Sequence, residues 1–242
     1  MVEPEPADSA GQSFRGRDLP STGFDTDTGA ADPAMVAALA ADDTTFMRAL
    51  VSARLIVPIV ATTDGVQESA SGLMAEKSSE MAVITLTAPD GERALPVFSG
   101  IEAMSEWNAG ARPRPVSAAQ AAQAAVAEGC DVLVLDLGSE QVRVVKPSMV
   151  WALATVREWA PAYADPFVQD AIARAGRDES AVVDIHCESD DEGQLRVVLQ
   201  LTPGLDSGTV QDLCARIGEL IATDGETRAR IDALSFRVTS AA

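Results

Sequence analysis

The sequence predicts an α+β protein built as two units, and three observations carry that prediction. Strand-like apolar runs alternate with short helix-like patterns across residues 31–164, and the order α-β-β-α-β fills residues 165–242. Apolar residues make up 47% of the chain but aromatic ones only 4%, so the core must be built from Ala, Val, Leu and Ile. The first unit reads as a mixed α/β domain with hairpins and small-residue helices. The second reads as a smaller α-β-β-α-β domain with its helices on one face of the sheet.

Residues 1–30 are rich in Glu, Asp, Pro, Ser, Thr and Gly and read as a disordered acidic tail. Within it, Asp25-Thr-Asp-Thr-Gly29 has the alternating aspartates of a calcium loop. Its glycine falls one place early, however, and Val36 stands where the bidentate Glu belongs, so a turn is the better reading. Order is predicted to begin where Asp32 caps a helix with Pro33 at its first position. A second short helix follows, with Phe46, Leu50 and Ala53 along one side. Residues 55–62, LIVPIVAT, read as a buried strand with Pro58 at an edge or bulge, because proline gives a ladder no donor. The run MAVITLTAPDGERALPVFS reads as a hairpin turning at Ala88-Pro-Asp-Gly91 and ending at Phe98.

A helix is predicted next over residues 100–108. Ser99-Gly-Ile-Glu102 has the S-x-x-E spacing of a capping box, in which Ser99 caps and Glu102 reaches back, a device worth about 1 kcal/mol. Ser99 also stands where a nucleophile elbow would hold its serine, but the flanking glycines of that motif are replaced by Val97 and Ile101. NAGARPRPVS reads as a short stiff connector. Ser117 and Gln120 form a second capping pattern ahead of an alanine-rich helix closed by Gly129. DVLVLD (131–136) and VRVV (142–145) read as a hairpin, and Pro147 opens a helix with Met149, Leu153, Val156 and Ala160 on one face, ended by Pro161. The domain boundary falls at Ala164–Asp165. Beyond it come the helix PFVQDAIARAG, two strands joined by DDEG, an amphipathic helix carrying Val210, Leu213, Cys214, Ile217 and Ile221, and a last strand.

The formal net charge of −19 is spread along the chain, with acids outnumbering bases in every segment. Phosphate backbones need clustered Lys and Arg, so nucleic acid is not an expected partner, and neither is an anionic membrane surface. Cys130, Cys187 and Cys214 are far apart and form no CxxC pair, the pattern of free thiols in a reducing cytoplasm. One histidine and scattered cysteines make no zinc set, and no glycine-rich phosphate cradle follows a strand, so neither metal nor cofactor is expected. His186, the only histidine, is predicted on the polar face of its strand beside Asp184, with Val183, Ile185 and Cys187 facing the core. Arg112 and Arg114, held between prolines after Trp107, are the most concentrated positive feature. An internal salt bridge is the favoured reading for them, and a grip on a partner's carboxylates the alternative.

FMRALVSARLIVPIV, ALPVFSGIEAMSEW, ARPRPVSAAQAA and DVLVLDLG, in that order, resemble the SseB family, whose pattern runs through a leucine-rich helix, an LPVFTS-like turn, a helix ending in Trp and a strand closing on Asp. Phe98, Trp107, Arg112, Pro113 and Asp136 hold matching places, and Ser99 stands for the commoner Thr. The resemblance supplies no catalytic residues. The expectation is therefore a cytoplasmic, non-enzymatic module that binds a protein partner or small ligand through Trp107, Arg112 and Arg114. The alternative is a hydrolase or transferase whose site assembles from Ser99, Asp136 and His186, and a structural role in a homo-oligomer is a third reading.

Overall fold

The computed structural model describes residues 24, 26–62, 80–89 and 91–241. The fold is α+β. Helices α1 (Pro33–Ala38) and α2 (Asp43–Val51) each begin at an aspartate, Asp32 and Asp42, whose side chain accepts a backbone N–H of the first turn. The long strand β1 (Arg54–Thr62) follows, then β2 (Glu80–Val83), β3 (Leu86–Thr87), β4 (Arg93–Val97), helix α3 (Ile101–Trp107), β5 (Arg112–Ser117), α4 (Ala118–Ala127), β6 (Val132–Leu135), β7 (Arg143–Val145) and α5 (Pro147–Ala154). One sheet has the order β2-β1-β5 and is antiparallel throughout. The other has the order β3-β4-β6-β7, with β4 and β6 parallel.

The main core lies between these elements. Leu55 and Val57 of β1, Leu95 and Val97 of β4, and Leu133 and Leu135 of β6 meet the alanine face of α4 and Met149 and Leu153 of α5. The capping box of α4 forms as the spacing predicts: Ser117 Oγ accepts the Gln120 N–H and Gln120 Oε1 accepts the Ser117 N–H. A smaller cluster of Ile56, Phe98, Met104 and Ala111 fills the opposite face of β1, with Trp107 packed against it.

Several expectations need correction here. The predicted hairpin is divided: β3 turns onto β4, but β2 joins β1 in the other sheet. Asp90 in that turn lies outside the described residues, as do residues 1–23 and Asp25 of the expected tail, whereas residues 26–30, also expected in that tail, are ordered and held by Arg54 through Asp27 and Ala30. The expected connector 112–117 is a strand, since alternating prolines fit an edge strand as well as they fit a coil. Pro58 sits in a central strand rather than at an edge. Its carbonyl accepts the Ile84 N–H at 3.4 Å, so its donorless nitrogen faces the seam where β1 passes from the Phe98 bridge, made through Ile56, to β2. Helix α5 stops at Ala154, and Val156 is 78% exposed at φ 54°, so neither Val156 nor Ala160 shares the Met149 face.

The second unit comprises α6 (Pro166–Gly176), β8 (Val182–Ser189), β9 (Leu195–Leu201), α7 (Ser207–Thr223), α8 (Gly225–Ala229) and β10 (Leu234–Ser240). Strand order β10-β9-β8 pairs the hairpin antiparallel and returns β10 parallel to β9 after the helical crossover. Val168 and Ile172 of α6 and Leu213, Ile217 and Ile221 of α7 pack on alternate β9 residues. A bulge between Val182 and Asp184 shifts the register. Val183 is therefore exposed, against expectation, while Ile185 and Cys187 do reach the core.

Candidate functional site

Ser99 and Asp136 meet at the carboxyl ends of the parallel strands β4 and β6. The Ser99 N–H donates to Asp136 Oδ1 at 2.7 Å, and the Asp136 N–H donates to the Val97 carbonyl at 2.9 Å. Asp136 takes φ 54°, a left-handed conformation that short polar side chains tolerate. Both residues are buried. The contact runs through the serine backbone, so it positions a turn and activates no hydroxyl.

The predicted capping role of Ser99 and Glu102 does not form. The N-cap of α3 is Gly100, and no side chain caps the helix. The Ile101 N–H is taken instead by the carbonyl of Gly29 at 2.8 Å. The chain around Gly29 lies across this turn so closely that a Cβ at Gly29 would sit 2.1 Å from Ile101 Cδ1. Arg54 fastens that strap: its Nε pairs with Asp27 Oδ2 at 2.8 Å, its Nη1 donates to the Ser99 carbonyl at 2.9 Å, and its Nη2 donates to the Ala30 carbonyl. A backbone donor satisfied by a neighbouring irregular segment leaves the local S-x-x-E pattern idle. Only the tertiary contact with Gly29 decides this, which is why the local spacing misleads.

The structure separates the residues grouped at Trp107. The indole stacks on Phe98 with ring centroids 5.3 Å apart and rests against Gly138, where a Cβ would lie 3.7 Å from Trp107 Cδ1. It belongs to the cluster on the Ile56 face of β1. Arg112 and Arg114 pair with Ile59 and Val57, whose side chains alternate to the other face. Both arginines are exposed, and neither forms an ion pair among the described residues, although an internal salt bridge is the favoured expectation.

The edge that carries them is unusual. The Ala118 N–H reaches back to the Ala53 carbonyl at 3.2 Å, so even-numbered residues of this stretch direct N–H groups toward β1 and odd-numbered ones direct theirs outward. The outward positions are Pro113 and Pro115, which have no N–H, and Ser117, whose N–H is held by Gln120. The free edge of β5 thus presents carbonyls flanked by two guanidinium groups. That is a surface suited to side-chain recognition of anions and closed to strand addition.

His186 lies elsewhere, on edge strand β8 of the second unit, with Nδ1 2.8 Å from Asp184 Oδ2 and both side chains about half exposed. The set Ser99, Asp136 and His186 is therefore split between two units. All three thiols are pushed up by burial, Cys187 to about 11, and Arg93 opposes the shift at Cys130. They are poor nucleophiles at neutral pH. Among the described residues no group of His, Cys, Asp and Glu is placed to hold a metal ion.

A joint that sequence reasoning missed links the two units. Arg230 lies between the rings of Trp151 and Phe167, 4.9 and 4.7 Å from their centroids, and pairs with Asp165 and Glu226, each at 2.7 Å. Burial acts to lower its pKa, but the hydrogen bonds to Glu226 and Asp165 win and raise it. Asp232 accepts both the N–H and the hydroxyl of Ser148. The signal in the sequence was faint: one of several arginines late in the chain, with its ring partners more than sixty positions earlier.

Fold and surface together define an α+β protein with an exposed arginine pair on a donorless sheet edge. The family profile described as SseB protein N-terminal domain matches residues 32–152, and the chain belongs to the SseB family. No curated protein and no solved structure matches the chain significantly.

Proposed function

We propose that this chain is a cytoplasmic binding module without a reaction of its own, and that it grips an acidic segment of a protein partner at Arg112 and Arg114. The carrying observation is the exposure of these two arginines, unpaired among the described residues, in a chain of net charge −19 where acidic neighbours are plentiful. Guanidinium groups hold carboxylates by paired, directional hydrogen bonds, and Pro113 between them and Pro115 after them limit the backbone freedom lost on binding. Trp107 supports the turn from behind and does not touch the partner. The rival reading, a hydrolase or transferase, finds less support, because Asp136 meets Ser99 at its N–H and His186 sits in the other unit with Asp184.

The test is affinity capture from native cytosol with the wild-type protein and the Arg112→Ala, Arg114→Ala variant, followed by mass spectrometry. Proteins retained by wild type and lost with the variant are the expected result. Identical recovery from both would remove the arginines from the binding surface. Retained enzymatic turnover that collapses in a folded His186→Ala protein would favour the rival.

A further inference from the structure

Helices α6 and α7 run antiparallel. Arg216 of α7 pairs with Glu179 just past the end of α6, and Arg174, one turn earlier, lies within electrostatic reach of Asp224 at the end of α7. Between them is an open groove of about 250 Å³, and its shape follows from residue size. Leu213, Ile217 and Ile221 of α7 pack on β9, and Leu220 flanks that stripe, but the α6 positions across from it are Ala171 and Ala175, too short to cover it. Both alanines are buried, while Leu220 is 54% exposed on the groove wall. We infer that this groove takes the apolar face of a basic amphipathic helix from a protein partner, a second docking surface independent of the arginine edge.

Size, length and charge favour this occupant. Pockets for cofactors and small ligands enclose about 300–1,000 Å³, and this groove is smaller and open, which suits anchoring side chains of a partner. Along α6 it runs from Ala171 to Asp178, roughly 10 Å at 1.5 Å per residue. Apolar anchors at i and i+3 or i+4 of a helix stand about 5–6 Å apart, so two of them fit that length. The charged lining is three carboxylates and one guanidinium. Glu179 gives both oxygens to Arg216, and Asp224 caps α8, but Asp178 has neither an ion pair nor a hydrogen-bond partner among the described residues. Arg174, the opposing charge, is offset by Asp224. Lysines or arginines beside the apolar anchors therefore find Asp178 at the rim, and an acidic helix is repelled. A second copy of this chain is the poorer occupant, because each copy brings a net charge of −19.

The test titrates a fluorescein-labelled synthetic peptide, the heptad Leu-Lys-Lys-Leu-Leu-Lys-Leu written twice, into the full chain and follows fluorescence anisotropy. Salt of about 0.15 M screens charges more than ~8 Å away and suppresses general attraction to an acidic protein. A shuffled peptide of the same composition, with no apolar face when helical, is the reference. Four proteins are compared: wild type, Leu220→Ser, Asp178→Asn, and the charge-matched control Asp191→Asn in the turn between β8 and β9. Leu220 and Asp178 are exposed, so neither change disturbs the core. The expected result is binding of the amphipathic peptide that Leu220→Ser weakens about 3- to 10-fold and Asp178→Asn about 2- to 5-fold, with the control equal to wild type and the shuffled peptide at least about 5-fold weaker. Equal affinity for all four proteins, equal affinity for both peptides, or no binding at all overturns the proposal. Sedimentation velocity supplies the remaining arm: a wild-type dimer that Leu220→Ser dissociates assigns the groove to a second copy and likewise overturns it.

Discussion

At Asp136 a buried carboxylate oxygen holds the Ser99 N–H while the backbone adopts a left-handed φ. Asp136→Ala strands that N–H and removes the side chain that tolerates the conformation, so a loss of about 1–3 kcal/mol is expected in denaturant unfolding. Asp136→Asn keeps an acceptor at the same place and is expected to lose less than the alanine variant. Ser99→Ala separates the two readings of that serine. A capping hydroxyl costs about 1 kcal/mol to remove, whereas here the hydroxyl caps nothing and a change under about 0.5 kcal/mol is expected in the same assay. Gly29 is the stricter residue of the pair of elements it joins. Gly29→Ala places a methyl against Ile101 at a positive φ, and a lowered melting temperature is the expected outcome.

At the scale of elements, helix starts govern the response to acid. Asp42, Asp206 and Asp224 cap α2, α7 and α8, and hydrogen bonds from their capped backbone N–H groups hold each carboxyl below its usual value. A group whose folded pKa is depressed stabilises the fold above its unfolded pKa, near 3.9, and loses that contribution as pH falls through the folded value. Thermal melts should therefore be flat near neutrality in respect of these caps and fall below about pH 4, less steeply in an Asp206→Asn variant. The local signals of the sequence were read well at such places: Asp32 with Pro33, the Ser117–Gln120 box and the apolar stripe of α7 all lie where spacing puts them. Long-range partners were not legible. Nothing near Ser99 announces that Gly29 will take the donor of α3, and nothing in RPRPVS announces β1 as its neighbour. The arginines were visible as a cluster of charge, but the face they occupy relative to Trp107 depends on strand register.

At the scale of the molecule, Arg230 ties the last helix of the first unit to the entry and exit of the second. The contact is polar and aromatic, with Thr227 Oγ1 and Arg230 Nε buried and unpartnered beside it. Removing one side of such a pair leaves a buried charge without its counterion, and breaking it costs about 3–5 kcal/mol. Arg230→Met is expected to turn a single calorimetric transition into two and to open the Ala160–Asp165 linker to protease, while each unit keeps its own core. A single transition at an unchanged temperature would show that the units cohere without it.

The prolines of β5 also determine how time will act on that strand. An edge strand ordinarily trades half of its amide protons with solvent within moments, because alternate ones point away from the sheet. In β5 the outward amides are missing or engaged, so Arg112, Arg114 and Val116 supply the strand's remaining protons and all of them face β1. Deuterium exchange across residues 112–117 is expected to be uniformly slow, giving an outermost strand the isotopic signature of an interior one.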